Sequence, residues 1–150
     1  MTSHTPRDPD FEKRVRASFE RQAFMSTLGA RLVRVEPGEV DLELPMRSEL
    51  TQQHGFLHAG ALASVADSAC GYAALSLMPA GAAVLSVEFK INLLAPAAGD
   101  RVLAKGRVIR AGRTVTVCWG EVLALTGNAE RLVATMVGTM MTVEGRGLAD

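Results

Sequence analysis

The chain has 150 residues, 48% hydrophobic and only 5% aromatic, with 16 basic and 16 acidic side chains and no formal net charge. That length suits one domain whose core is mostly Ala, Val, Leu and Met. Balanced charge gives no electrostatic case for nucleic acid or an anionic membrane as partner.

Residues 1–9 carry Pro6 and Pro9 and read as a loose tail. The first 22 residues are polar and charged, without the apolar run of a secretory signal. From Asp10 to Leu28, apolar residues fall at Phe11, Val15, Phe19, Phe24 and Leu28, which predicts an amphipathic helix with Gly29 as its C-cap. RLVRVE and VDLELP, separated by Pro37-Gly38-Glu39, alternate with period two and predict a hairpin with one wet face. A polar loop follows, from Met46 to Leu57.

Residues 58–78 form the one long helical candidate, about 30 Å if fully helical. The segment is rich in Ala, and Asp67 is its only charged residue. Asp67 is also the only fully charged side chain between Glu49 and Glu88. A helix apolar nearly all round is a buried helix, and a carboxylate on it is costly unless something stabilises it.

Four strands are then expected in series. In VLSVEFKINLL, Leu85, Val87, Phe89, Ile91 and Leu93 occupy one face and Ser86, Glu88, Lys90 and Asn92 the other. RVLAKGRVIR, TVTVCWGEVLAL and RLVATMVGTMMTV follow, with turns at 111–113 and 126–128 that imply antiparallel pairing. The Gly-rich tail after Val143 reads as frayed. The expected organisation is a tail and helix over 1–27, the main domain over 28–143 and a short tail over 144–150. Cys70 and Cys118 lie in apolar stretches and read as reduced core thiols. No segment reaches ~18 consecutive apolar residues, so no transmembrane helix is expected and a cytoplasmic setting is the default. The sum is an α+β fold: a curved antiparallel sheet of about six strands around one central helix.

This order resembles the hotdog superfamily, and within it the PaaI-like acyl-CoA thioesterases. The motif is sharper than the fold order. Gln52, Gly55, His58-Ala59-Gly60 and Asp67 follow the family's spacing of Asn or Gln, Gly, His-Gly-Gly and an acidic residue. Three positions depart from it. Ala59 replaces the first Gly of the triplet, Gln52 the commoner Asn, and Gly71 a Ser or Thr found in some relatives. The resemblance implies hydrolysis of an acyl-CoA, with coenzyme A entering only as part of the substrate and no separate cofactor.

These residue types suit the reaction. A thioester carbonyl needs a base or nucleophile on one side and donors for the developing oxyanion. The free amides at a helix start, here Ala59 and Gly60, supply donors. His58 would orient that turn, or simply cap it. Asp67 would attack the carbonyl or activate water. Gln52 would bond the thioester oxygen or hold the water. Gly60, Ser64, Gly71 and Ala74 fall near Asp67 at helical spacing and are small, which lets an acyl chain or a partner strand approach, or simply lets helix and sheet pack tightly; Gly55, Ser64 and Gly71 are the small candidates for substrate contact. Arg107, Arg110 and Arg113 are candidates for the coenzyme A phosphates; a basic solvated face is the plain alternative.

Asp67 lies eight residues beyond Ala59, about 12 Å along one helix. One carbonyl cannot meet both. If both act together they come from two chains, which predicts a homodimer, or a higher homo-oligomer such as a tetramer, with sites at the dimer interface. No metal site is expected, since His54 and His58 need not share a face. Ser64 lacks the Gly-x-Ser-x-Gly setting of a nucleophile. The rivals are a hotdog hydratase or dehydratase and a non-catalytic acyl-CoA-binding module. Phe56, Tyr72 and Phe89 leave medium-to-long fatty acyl and aryl-acyl groups both open.

Overall fold

In the computed structural model, which describes residues 4–150, the elements run α1 (Phe11–Arg21), α2 (Ala23–Leu28), β1 (Arg31–Glu36), β2 (Glu39–Pro45), a 3₁₀ turn (Ser48–Leu50), α3 (Ala59–Leu75), β3 (Ala83–Leu93), β4 (Arg101–Ala111), β5 (Val115–Thr126) and β6 (Ala129–Val143). Residues 1–3 of the expected tail lie outside the described residues. All six strands form one antiparallel sheet in the order β1-β2-β4-β5-β6-β3. The α+β hotdog architecture expected from the sequence is therefore the one observed.

α3 is buried against the inner face of that sheet, with Leu62, Val65, Ala66, Ala69, Cys70 and Leu75 in the core. Small side chains set the spacing. A Cβ added at Gly106 of β4 would stand 2.3 Å from the Ala69 carbonyl, so only glycine admits this contact. Burial pushes both thiols up, Cys118 to about 12, so neither is reactive in this setting. No helix among the described residues is long and apolar enough to cross a membrane.

Six expectations need correction. The Asp10–Leu28 helix is two helices, broken at Gln22, whose backbone leaves the helical region (φ −80°, ψ 91°). With the bend, Val15, Met25 and Leu28 all lie in one core. Gly29 does cap the second helix, in the left-handed region (φ 79°). α3 ends at Leu75 rather than Met78. Arg14 closes that end, its guanidinium donating to the carbonyls of Leu75 (2.9 Å), Met78 (2.9 Å) and Pro79 (2.5 Å).

The four later strands are not a simple meander. Only β4, β5 and β6 are; β3 crosses to pair with β6, and β4 pairs with β2. The connection from Leu94 to Asp100 is too long for a tight turn, which frees the chain to cross. In the first hairpin a bulge at Val33 leaves that residue 48% exposed, while Leu32 packs against the core. The 144–150 tail is not frayed at its end: Asp150 is held by Ser18, Val84 and Ala82.

The most consequential correction is in β3. Its register with β6 shifts between Ser86 and Glu88, leaving Val87 as a bulge. An extra residue reverses which side chains face inward. Ser86 sits opposite the buried Met140, and Phe89 opposite Gly138, whereas Leu85 lies opposite the exposed Met141. Ser86 therefore faces α3 together with Phe89 and Ile91, and Leu85 does not join them.

Candidate active site

The segment from Gln52 to Gly60 folds on itself. Gln52 N–H donates to the Phe56 carbonyl (2.8 Å) and Gly55 N–H to the Gln52 carbonyl (3.0 Å). Gly55 sits in the left-handed region (φ 83°), which explains a glycine at this motif position. The Gln52 side-chain oxygen accepts from the His54 amide, which leaves its NH2 group as a donor.

His58 is the N-cap of α3. Its Nδ1 accepts from the Gly60 amide at 2.8 Å, so the ring does orient this turn. That bond takes up one of the two expected oxyanion donors. Ala59 N–H has no acceptor among the described residues. Gln52 and Ala59 line the same groove, about 360 Å³, with Phe56, Leu57, Leu62 and Leu93 as apolar walls.

Asp67 lies further along α3 and lines a different cavity, about 110 Å³, with Gln22, Ser68, Gly71, Tyr72, Val84, Ser86 and Asp150. The Ser86 hydroxyl donates to Asp67 Oδ1 at 2.7 Å. Desolvation raises the carboxyl above the ordinary Asp range, and the Ser86 bond partly opposes this. A Cβ added at Gly71 would meet no atom within 4 Å, so this glycine leaves the cavity open at that point. Ser64 is turned away from chemistry, its hydroxyl bonded to the Gly60 carbonyl at 2.7 Å.

The basic residues divide. Arg107 is held within the sheet by Asp41 (2.5 Å) and Glu39 (3.5 Å). Arg110 and Arg113 are exposed and join none of the ion pairs among the described residues. One chain thus brings Gln52, Gly55, His58, Ala59 and Gly60 together, and places Asp67 with Gly71 in a second cavity that shares no residue with the first. Sequence reasoning missed Ser86, Gln22 and Asp150 as neighbours of Asp67. Regular alternation assigned Ser86 to the opposite face, and no local signal marks the bulge.

A six-stranded antiparallel sheet curved around one long helix is the hotdog fold, on which the thioester hydrolases are one class. The thioesterase superfamily pattern matches residues 54–130, and the chain belongs to that superfamily. The crystal structure of a thioesterase family protein from Silicibacter pomeroyi is 51% identical, with a TM-score of 0.88 over 90% of this chain and 99% of that one. The E. coli PaaI protein from the phenylacetic acid degradation operon is 25% identical, with a TM-score of 0.82 over 91% of this chain and 95% of that one. Human acyl-coenzyme A thioesterase 13 is 30% identical over 67% of this chain and 73% of its own length. A Saccharolobus solfataricus protein named as an esterase is 36% identical over 60% of this chain; the chain spans 64% of that relative's length. The PaaI-like resemblance read from the motif therefore holds.

Proposed function

We propose that this protein hydrolyses acyl-CoA thioesters at two equivalent sites across a homodimer. Each site would combine Asp67 of one protomer with Gln52 and Ala59 of its partner. The observation that carries the reading is the half-buried Asp67 carboxylate, raised by desolvation and gripped by Ser86 beside a cavity large enough for water. Such a group is a better base than a solvated Asp. Asp67 takes a proton from water as the water oxygen bonds to the thioester carbon. Ala59 N–H and the Gln52 carboxamide stabilise the oxyanion. The intermediate then collapses, the C–S bond breaks, and the proton passes to the departing thiolate.

The edge of β3 supports the dimer. Among the described residues that edge pairs with no strand, and Leu85, Val87 and Phe89 are 50%, 52% and 42% exposed on it. An unpaired apolar edge is a template for a second copy. Antiparallel helices there would bring the start of one α3 near the middle of the other. Arg110 and Arg113 suit coenzyme A phosphates better than Arg107, whose charge is already met. Acyl-CoA as substrate and two buried free thiols fit a cytoplasmic setting.

Thiol release from a panel of acyl-CoAs tests this. Wild type should turn over at least one, and Asp67→Asn should lose ~10²–10⁴ of that rate while folding normally. Equal rates in the two proteins would discard Asp67 as the base.

A further inference from the structure

We propose that Asp150 is a specificity-determining residue: it closes the Asp67 cavity and limits the acyl group to a short or compact one. The inference rests on the thioesterase reading above. After β6 the chain reverses through Gly145 and Gly147, both with positive φ (66° and 73°). The reversal returns Asp150 to the start of β3. There its Oδ2 accepts from the Val84 amide at 2.8 Å, and its Oδ1 from the Ser18 hydroxyl at 2.9 Å. Ser18 also meets the Tyr72 hydroxyl at 3.3 Å. The Val84 amide would otherwise lie free on the unpaired side of β3, so the contact satisfies a backbone donor at the sheet edge.

The two cavities differ in what they can take. The groove beside Ala59 is about 360 Å³ and mostly apolar-walled, which suits the long pantetheine arm. The cavity beside Asp67 is about 110 Å³. Its lining is largely polar, with Asp67, Asp150, Gln22, Ser68 and Ser86, so a long apolar chain finds little favourable surface there. A carbonyl carbon within reach of Asp67 would direct its acyl substituent into this smaller space. Tyr72, Gln22 and Asp150 line it and bound the acyl chain there. Of these, Tyr72 lies in α3 and Gln22 joins α1 to α2, whereas Asp150 follows β6 outside any helix, strand or helix junction, so its side chain can be removed with the least disturbance.

Two readouts test this. In the first, amide hydrogen exchange at Val84 is followed by NMR in wild type and Asp150→Ala. The variant should exchange at least about tenfold faster, since it loses the acceptor. In the second, butanoyl to dodecanoyl analogues of acyl-CoA, with a methylene ketone replacing the thioester, are titrated calorimetrically. Wild type should favour the short analogues. Asp150→Ala, and a protein lacking 144–150, should shift the long-to-short affinity ratio upward by at least about tenfold. Asp150→Asn, which keeps the side-chain volume and an acceptor oxygen, should return the wild-type order. Unchanged Val84 exchange, or one chain-length order in all four proteins, overturns the proposal. If the order shifts but no variant hydrolyses a thioester, the hydrolase reading fails and the role of Asp150 stands.

Discussion

Around Ala59 the contacts are local, whereas around Asp67 they span the chain. Gln52, His54, Phe56, His58 and Gly60 bond one another within a few positions. Ser86 reaches Asp67 across 19 positions, Ser68 meets Gln22 across 46, and Ser18 meets Asp150 across 132. The first half-site is built mainly from one loop and one helix start, anchored by the Leu57 amide on the Ala97 carbonyl (2.9 Å), just beyond β3, and by the Leu93 wall at the end of β3. The second exists only when both N-terminal helices, α3, β3 and the tail are in place. Changes in the loop should therefore act on chemistry with little effect on folding. Changes around Asp67 should couple the two.

The largest effect should come from joining the halves. Asp67→Asn and Gln52→Ala should each abolish most activity, with Gln52→Ala losing ~10²–10³ as one oxyanion donor disappears. In a mixed dimer of the two variants, one site keeps both wild-type groups and the other loses both. Unfolding and refolding an equal mixture should restore about a quarter of wild-type activity, because half of the random dimers are mixed and each carries one intact site of two. No recovery would place both groups in one chain's own site and break the cross-protomer assignment.

Ser86→Ala should have a smaller effect, and one that separates positioning from mere support. Its hydroxyl donates to a charged acceptor, a bond on the order of 1.5–3 kcal/mol. Loss should lower kcat/KM by about tenfold. It also removes the one interaction that pulls the Asp67 carboxyl down, so the acid limb of the pH profile should move to higher pH. Ser86→Thr, which retains the donor, should return that limb toward its wild-type position. A rate loss with an unmoved limb would reduce Ser86 to packing.

Much of the local half was readable in advance. Gln52, Gly55, His58 and Ala59 stand at motif spacing, and an N-cap followed by an Ala-rich run announces a helix start with free amides. Asp67 was conspicuous as a lone charge. Its surroundings were not legible, because each depends on tertiary geometry. The Val87 bulge is silent in a strand whose polar and apolar residues keep alternating through it. The break at Gln22 interrupts an apolar pattern that a straight helix also satisfies. The pairing of β3 with β6 rather than β4 is set by a crossing connection, and the return of Asp150 by two glycines that read equally well as a loose tail. Arg107 looked like its neighbours Arg110 and Arg113 until β2 brought Asp41 and Glu39 beside it.

The smallest predicted effect concerns stability, and it runs opposite to activity. Asp67 has its carboxyl raised above the ordinary 3.8, with desolvation as the main cause. The folded state therefore holds this proton to higher pH than the unfolded chain does. Below the ordinary value both states carry it and nothing is lost. As pH rises from there through the raised value, the folded state binds more protons than the unfolded, so stability falls across that window and stays lower at neutral pH. Asp67→Asn removes the titration while keeping an acceptor for the Ser86 hydroxyl. The side chain is partly solvated, which limits the gain to about 1–2 °C in Tm near pH 7. Melts of both proteins near pH 7 and below pH 3.8 check the sign, with the difference shrinking at the lower pH. An inactive variant that melts above wild type only when Asp67 would be ionised marks a carboxylate kept for chemistry at a cost to the fold. A variant that melts lower at both pH values marks Asp67 as a structural tie between α3 and β3.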